Sequence, residues 1–151
     1  MLALNNVKIK FGGLVAVDDL SFTINKNEIF GLIGPNGAGK TTVFNMISGV
    51  YKPTEGQISF HGKRIDGKRP YQINALGIAR TYQNINLFKN MTVLENVVVG
   101  CHSRSHSGIF ASILRISSQR KEEERIREKS FEILKFFGLD KKANLPACSL
   151  S

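Results

Sequence analysis

Apolar and polar residues alternate in three short stretches of the N-terminal part: Val7-Lys8-Ile9-Lys10-Phe11, Leu20-Ser21-Phe22-Thr23-Ile24 and Gln57-Ile58-Ser59-Phe60. A period of two sends alternate side chains to opposite faces, so each stretch predicts a strand exposed on one face. The turn residues Lys52-Pro53-Thr54-Glu55-Gly56 punctuate the chain before the third. A fourth stretch, Ile29-Phe30-Gly31-Leu32-Ile33, is apolar without alternation. That pattern predicts a central strand with helices on both faces. Pro70 then opens a short helix through Ala75, stopped before Gly77, and Ile78-Ala79-Arg80-Thr81-Tyr82 returns as a strand leading into Gln83.

Past Gln83 the period lengthens to that of a helix. Thr92-Val93-Leu94-Glu95 has the spacing of a capping box, which opens a helix over Glu95–Val99 with Gly100 as its stop. The Ser-rich stretch from Ser103 to Ser107 predicts a loop. Gln119 to Phe137 predicts a long helix closed by Gly138, with Ile126, Ile133, Leu134 and Phe137 on its apolar side. Its charge run from Arg120 to Lys129 is a solvated face, with Arg120/Glu124 and Glu123/Arg127 spaced as ion pairs.

Between the apolar run 29–33 and a helix-like stretch beginning at Thr41 lies Gly34-Pro35-Asn36-Gly37-Ala38-Gly39-Lys40-Thr41, which satisfies G-x-x-x-x-G-K-[ST]. Strand, glycine-rich loop and helix in this order make a phosphate cradle. The glycines let successive N–H groups turn onto phosphate oxygens, and the N-terminal end of the helix adds its partial positive charge. Lys40 supplies a point charge for the β- and γ-phosphates, and the Thr41 hydroxyl is placed to ligate Mg²⁺.

Composition narrows the setting. A chain of 151 residues has room for one good core. No apolar stretch is long enough to span a membrane, and Met1-Leu2-Ala3-Leu4-Asn5 lacks a charged n-region and long apolar run. Cys101 and Cys148 are lone thiols, compatible with a reducing cytoplasm. The formal charge of +9 raises nucleic acid or an anionic surface as partners, but it is spread along the chain: residues 1–83 carry 10 Lys/Arg against 5 Asp/Glu, and residues 84–151 carry 11 against 7. Cys101-His102 with His106 lacks a fourth ligand at fitting spacing, so a polar loop is preferred to a metal site. The basic run His61 to Arg69 reads as a solvated hairpin, because no aromatic platforms are interleaved with it.

The P-loop with Thr42 after it, preceded by Phe11-Gly12-Gly13-Leu14-Val15-Ala16-Val17 and followed by Arg80-Thr81-Tyr82-Gln83 and Leu87-Phe88-Lys89-Asn90-Met91-Thr92-Val93-Leu94-Glu95-Asn96-Val97, resembles the ATP-binding subunit of an ABC transporter. Within that family the chain is most similar, from Leu2 to Ser151, to the ATPase subunits of bacterial branched-chain amino acid importers. The resemblance implies an α/β fold: a P-loop NTPase core with an antiparallel β subdomain over residues 1–83, and the start of an α-helical subdomain over 84–151. It implies ATP and Mg²⁺ as ligands. Asn36, Gly37, Ala38, Gly39, Lys40, Thr41 and Thr42 would hold the phosphates, Phe11 would stack on adenine and Val17 would pack near the base and sugar. Gln83 would reach Mg²⁺, with Thr41, and the attacking water. On the residues alone, Phe11 also reads as a strand-end core residue and Gln83 as a solvated loop residue.

The same resemblance implies permease subunits and a second ATP-binding subunit as partners, with the protein peripheral on the cytoplasmic face of the plasma membrane. The chain departs from the family pattern at Ser149-Leu150-Ser151, where only the first two residues of a signature sequence stand. The later acidic strand end, with its Mg²⁺-binding Asp and catalytic Glu, and the switch His have no counterpart in residues 1–151. Val97-Val98-Val99 is followed by Gly100-Cys101, and Asp140 follows a helix end. This polypeptide is therefore expected to bind ATP but not to hydrolyse it alone, because phosphoryl transfer needs a water-positioning group. A soluble ABC-type nucleotide switch acting on nucleic acid is the rival reading, resting on the basic charge.

Overall fold

The computed structural model describes residues 1–82, 86–101 and 117–150, which divide into two compact units, Met1–Thr81 and Tyr82–Ser151.

In the first unit, β1 (Leu2–Phe11), β2 (Leu14–Ile24), β3 (Glu55–Phe60) and β4 (Lys63–Arg64) form an antiparallel sheet in the order β2-β1-β3-β4. The three alternating stretches fall inside β1, β2 and β3, and α1 (Lys40–Ile47) and α2 (Pro70–Ala75) stand where the loop and Pro70 place them. Leu4, Val7 and Ile9 of β1, Val17 of β2, Ile58 of β3 and Ile65 pack with Val43, Met46 and Ile47 of α1 into one buried cluster. Leu4 and Val7 are three apart and would face opposite sides of a regular strand. A register shift between them returns both to the core. There Asn6, at φ 48°, donates its backbone amide to the Ser21 hydroxyl oxygen at 2.8 Å and its side-chain amide to Asp19 at 2.7 Å.

The basic run from His61 folds as a hairpin turn between β3 and β4, as expected. Asp66 locks it, accepting from the Ile58 amide at 3.0 Å and pairing with Arg64 at 2.8 Å. Burial opposes the Asp66 charge, yet these two partners outweigh it and hold the carboxyl below its usual range.

Two expected strands are absent. Residues 29–33 form no strand; Ile29 and Ile33 are 101% and 92% exposed. Residues 78–82 likewise pair with nothing as a strand, although Ile78 packs against the core. A strand exists only through hydrogen bonds to a neighbour, and among the described residues no strand is hydrogen-bonded to either segment, although Phe30 stacks on Phe22 of β2.

In the second unit, α3 (Val93–Cys101) begins with the expected capping box. The Thr92 hydroxyl accepts from the Glu95 amide at 3.2 Å, and Glu95 accepts from the Thr92 amide at 2.7 Å. That amide, then the hydroxyl, holds the Glu95 carboxyl below its ordinary range. Two further first-turn amides, of Val93 and Leu94, donate to Leu145 and Ala143 at 3.0 and 2.9 Å, tying the helix start to the C-terminal segment. Gly100 does not stop the helix, which continues to Cys101. The loop expected at Ser103–Ser107 lies outside the described residues.

The long helix α4 (Ser117–Phe136) ends at Gly138, at φ 69°, where Leu139 donates to the Leu134 carbonyl at 2.8 Å and Gly138 to Lys135 at 3.0 Å. Its inward face differs from expectation. Leu134 and Ser130 are buried and Ile126 is half-buried, whereas Ile133 and Phe137 are exposed. Ser130 escapes notice because it is polar; inside, its hydroxyl donates to the Ile126 carbonyl at 2.7 Å and so costs little to bury. Glu123 and Arg127 form no ion pair. Leu134 joins Val93, Leu94 and Ala143 as the core of this unit. Among the described residues no helix is long and apolar enough to cross a membrane.

Candidate nucleotide site

The cradle is assembled from three pieces of the first unit. Gly37 and Gly39 have φ of 86° and 80°, a left-handed region closed to most side chains. Gly39 caps α1 and sits so close to β2 that a Cβ there would lie 2.5 Å from the Ala16 carbonyl oxygen and 3.0 Å from Val17 Cγ2. Glycine is thus required twice at this position, by conformation and by contact. Gly37 is required only by conformation, since a Cβ there would meet open space.

Lys40 bends back over the loop, its Nζ donating to the Gly34 and Pro35 carbonyls at 2.5 and 2.7 Å. An ammonium carries three protons, so the two bonds that shape the loop leave one for a ligand oxygen. Asn36, Gly37 and Ala38 are exposed, as is Thr41, while Gly39 and Thr42 are partly buried. No acidic side chain stands in the first turn of α1. The helix's own first turn thus sets no negative charge against an anion at its positive end, and of the loop amides that of Ala38 is taken by the Pro35 carbonyl at 3.2 Å.

Phe11 closes β1, pairing with Leu14 across the hairpin, and is 44% exposed. Two residues beyond Leu14, Ala16 touches the position of Gly39, so Phe11 and the phosphate loop share one end of the unit. Val17 is 9% exposed and belongs to the core cluster behind the loop. Gln83 lies outside the described residues. Cys101 and Cys148 carry free thiols; His102 and His106 are again outside the described residues.

Two groups of this region have no local signal in the sequence. Arg80 donates to Asn45 Oδ1 at 2.6 Å and to Ser48 Oγ at 3.2 Å, with its guanidinium 6.0 Å from the Phe44 ring centre. It ties the segment after α2 to the last turn of α1. Tyr51 meets Phe11 edge-to-face, with ring centres 5.1 Å apart at 70°. Both contacts join residues more than thirty positions apart, which no spacing rule connects.

The chain is 40% identical over 151 residues to the high-affinity branched-chain amino acid transport ATP-binding protein LivG of Salmonella typhimurium, covering 100% of this chain and 59% of that protein. It is 36% identical, with the same coverage, to BraF of Pseudomonas aeruginosa, named for the same transport role. The chain thus spans about 59% of the length of these curated relatives. Among solved structures, a nucleotide-free ATP-binding cassette from an ABC transporter superposes with TM-score 0.78 at 37% identity, covering 99% of this chain and 58% of that one. A dimeric cassette in a post-hydrolysis state with ADP and Pi matches with TM-score 0.73 at 26% identity, over 100% of this chain and 63% of that one. Nothing in these comparisons supports the nucleic-acid reading. The fold is that of an ABC ATPase, in which the antiparallel sheet accompanies a P-loop NTPase core. With residues 17–151 matching the ABC transporter family, this chain belongs to that family.

Proposed function

We propose that this chain is the nucleotide-binding part of an ATP-binding, energy-coupling subunit of an importer for branched-chain amino acids. The observation that carries the reading is the loop at Gly34–Thr41: its glycine conformations, the close approach of Gly39 to β2 and the Lys40 ammonium together suit a triphosphate. In this reading residues 36–42 hold the phosphates, through the amides the loop leaves free and the Lys40 ammonium, and Phe11 stacks on the adenine beside Val17. The Thr41 hydroxyl and Gln83 hold Mg²⁺, and Gln83 orients the attacking water. Mg²⁺ neutralises phosphate charge when bound. Residues 1–83 act as the nucleotide-binding subdomain and 84–151 as the helical subdomain. The subunit works beside a second ATP-binding subunit on permease subunits, at the cytoplasmic face of the membrane. The names of the relatives support the transport role, and the dimeric neighbour supports the pairing.

The adenine platform has a selective test. Phe11→Ala should weaken MgATP binding roughly 5- to 100-fold, the worth of one base–aromatic stack, while leaving inorganic triphosphate affinity unchanged. Titration calorimetry with both ligands reads this directly, and equal losses for the two would make Phe11 a core residue instead.

Residues 1–151 should also bind MgATP without turning it over, because among the described residues no strand ends on an Asp or Glu that could polarise water, and Asp18, behind the apolar run 14–17, lies within β2 and pairs with Lys8. Phosphate release at background level, alongside saturable binding by calorimetry, is the expected pair of results. Turnover that disappears in Lys40→Ala would reveal a catalytic group within these residues.

A further inference from the structure

We infer that Tyr51 is a positioning residue for the adenine platform, setting the angle of the Phe11 ring relative to the phosphate loop. The inference rests on the reading of Phe11 as the base-stacking residue. Tyr51 is a long way from Phe11 in sequence, yet the two rings meet edge-to-face at 5.1 Å, a geometry favoured by the ring quadrupoles. Phe11 stays 44% and Tyr51 38% exposed. Both rings thus keep an open side while holding each other's edge.

The Tyr51 backbone is itself held from both sides. Behind it, α1 ends at Gly49, at φ 77°, with Val50 and Tyr51 both donating to the Asn45 carbonyl, at 2.9 and 3.1 Å. The same Asn45 receives Arg80 on its side chain. Ahead of it, Thr54 donates its amide to the Lys8 carbonyl at 2.7 Å, and its hydroxyl accepts from the Lys10 amide at 3.1 Å. The segment 51–54 is thereby laid along the end of β1. Since α1 begins at the phosphate loop and ends at the anchor of Tyr51, the helix acts as a rigid strut of eight residues. One end carries the triphosphate site, and the other carries the ring that braces Phe11. Without the brace, Phe11 is free to change rotamer at the hairpin end, and stacking has to pay for fixing it.

The test compares MgATP and inorganic triphosphate binding to the full chain by calorimetry. Tyr51→Ala should weaken MgATP about two- to tenfold, the range of an edge-to-face pair, and leave triphosphate binding unchanged. Tyr51→Phe should restore wild-type affinity, because the contact is ring to ring. In a Phe11→Ala background, Tyr51→Ala should cause no further loss, since the brace then has nothing to hold. If Tyr51→Ala fails to fold, Tyr51→Leu carries the same comparison with the same expectation. Unchanged MgATP affinity in the Tyr51 variant, equal losses for both ligands, or additive losses with Phe11→Ala would each overturn the inference. A selective effect of Phe11→Ala with none from Tyr51 leaves the platform standing and removes only the brace. Loss of selectivity in Phe11→Ala itself removes the platform.

Discussion

Lys40→Ala is expected to weaken MgATP binding by about ten- to a hundredfold, corresponding to a charge-assisted contact of roughly 1.5–3 kcal/mol. The structure adds a second consequence. Lys40 bonds the Gly34 and Pro35 carbonyls, so its removal also frees the loop that presents the amides. Lys40→Arg should not rescue, because a planar guanidinium cannot place protons on two carbonyls and a phosphate as a compact ammonium does. Calorimetric titration of the three proteins with MgATP decides the matter, with circular dichroism showing that each is folded. Equal affinity of wild type and Lys40→Ala would end the case for a phosphate cradle at Gly34–Thr41.

Substitution of the two positive-φ glycines of the loop should give unequal losses. Gly37→Ala meets only the conformational cost of the left-handed region, about 1–2 kcal/mol, because space around it is open. Gly39→Ala meets that cost and in addition places a methyl group 2.5 Å from the Ala16 backbone oxygen, which cannot move without disturbing β2. A destabilisation of about 3 kcal/mol or more is expected there, by the general scale of overpacking added to backbone strain. Urea unfolding of both variants measures the difference. Equal midpoints would mean that the approach of the loop to β2 is slack. Nucleotide affinity should follow the same order, since the displaced loop at Gly39 is the one that caps α1.

The sequence carried whatever depends on neighbours a few positions away. The phosphate loop is legible because its chemistry is local: glycines with positive φ, a lysine and a helix start within eight residues. The capping box at Thr92 and Glu95, the proline start at Pro70 and the glycine end at Gly138 are legible for the same reason. Alternation revealed β1, β2 and β3, because a half-buried strand writes its period into the chain.

Tertiary structure decided the rest. The apolar run 29–33 has the composition of a buried strand, but composition supplies no hydrogen-bonding neighbour, and its isoleucines stand exposed. Leu4 and Val7 share a face only because a bulge opposite Ser21, held by Asn6 bonding Ser21 and Asp19, resets the strand. Ser130 is on the buried face of α4, and Ile133 outside, because that face meets α3, where the Ser130 hydroxyl reaches Cys101 Sγ at 3.6 Å. Tyr51 reaches Phe11, and Arg80 reaches Asn45, across more than thirty residues of chain. Each of these depends on where the backbone brings distant groups together, and a contact between distant groups leaves no period or motif in either segment by itself.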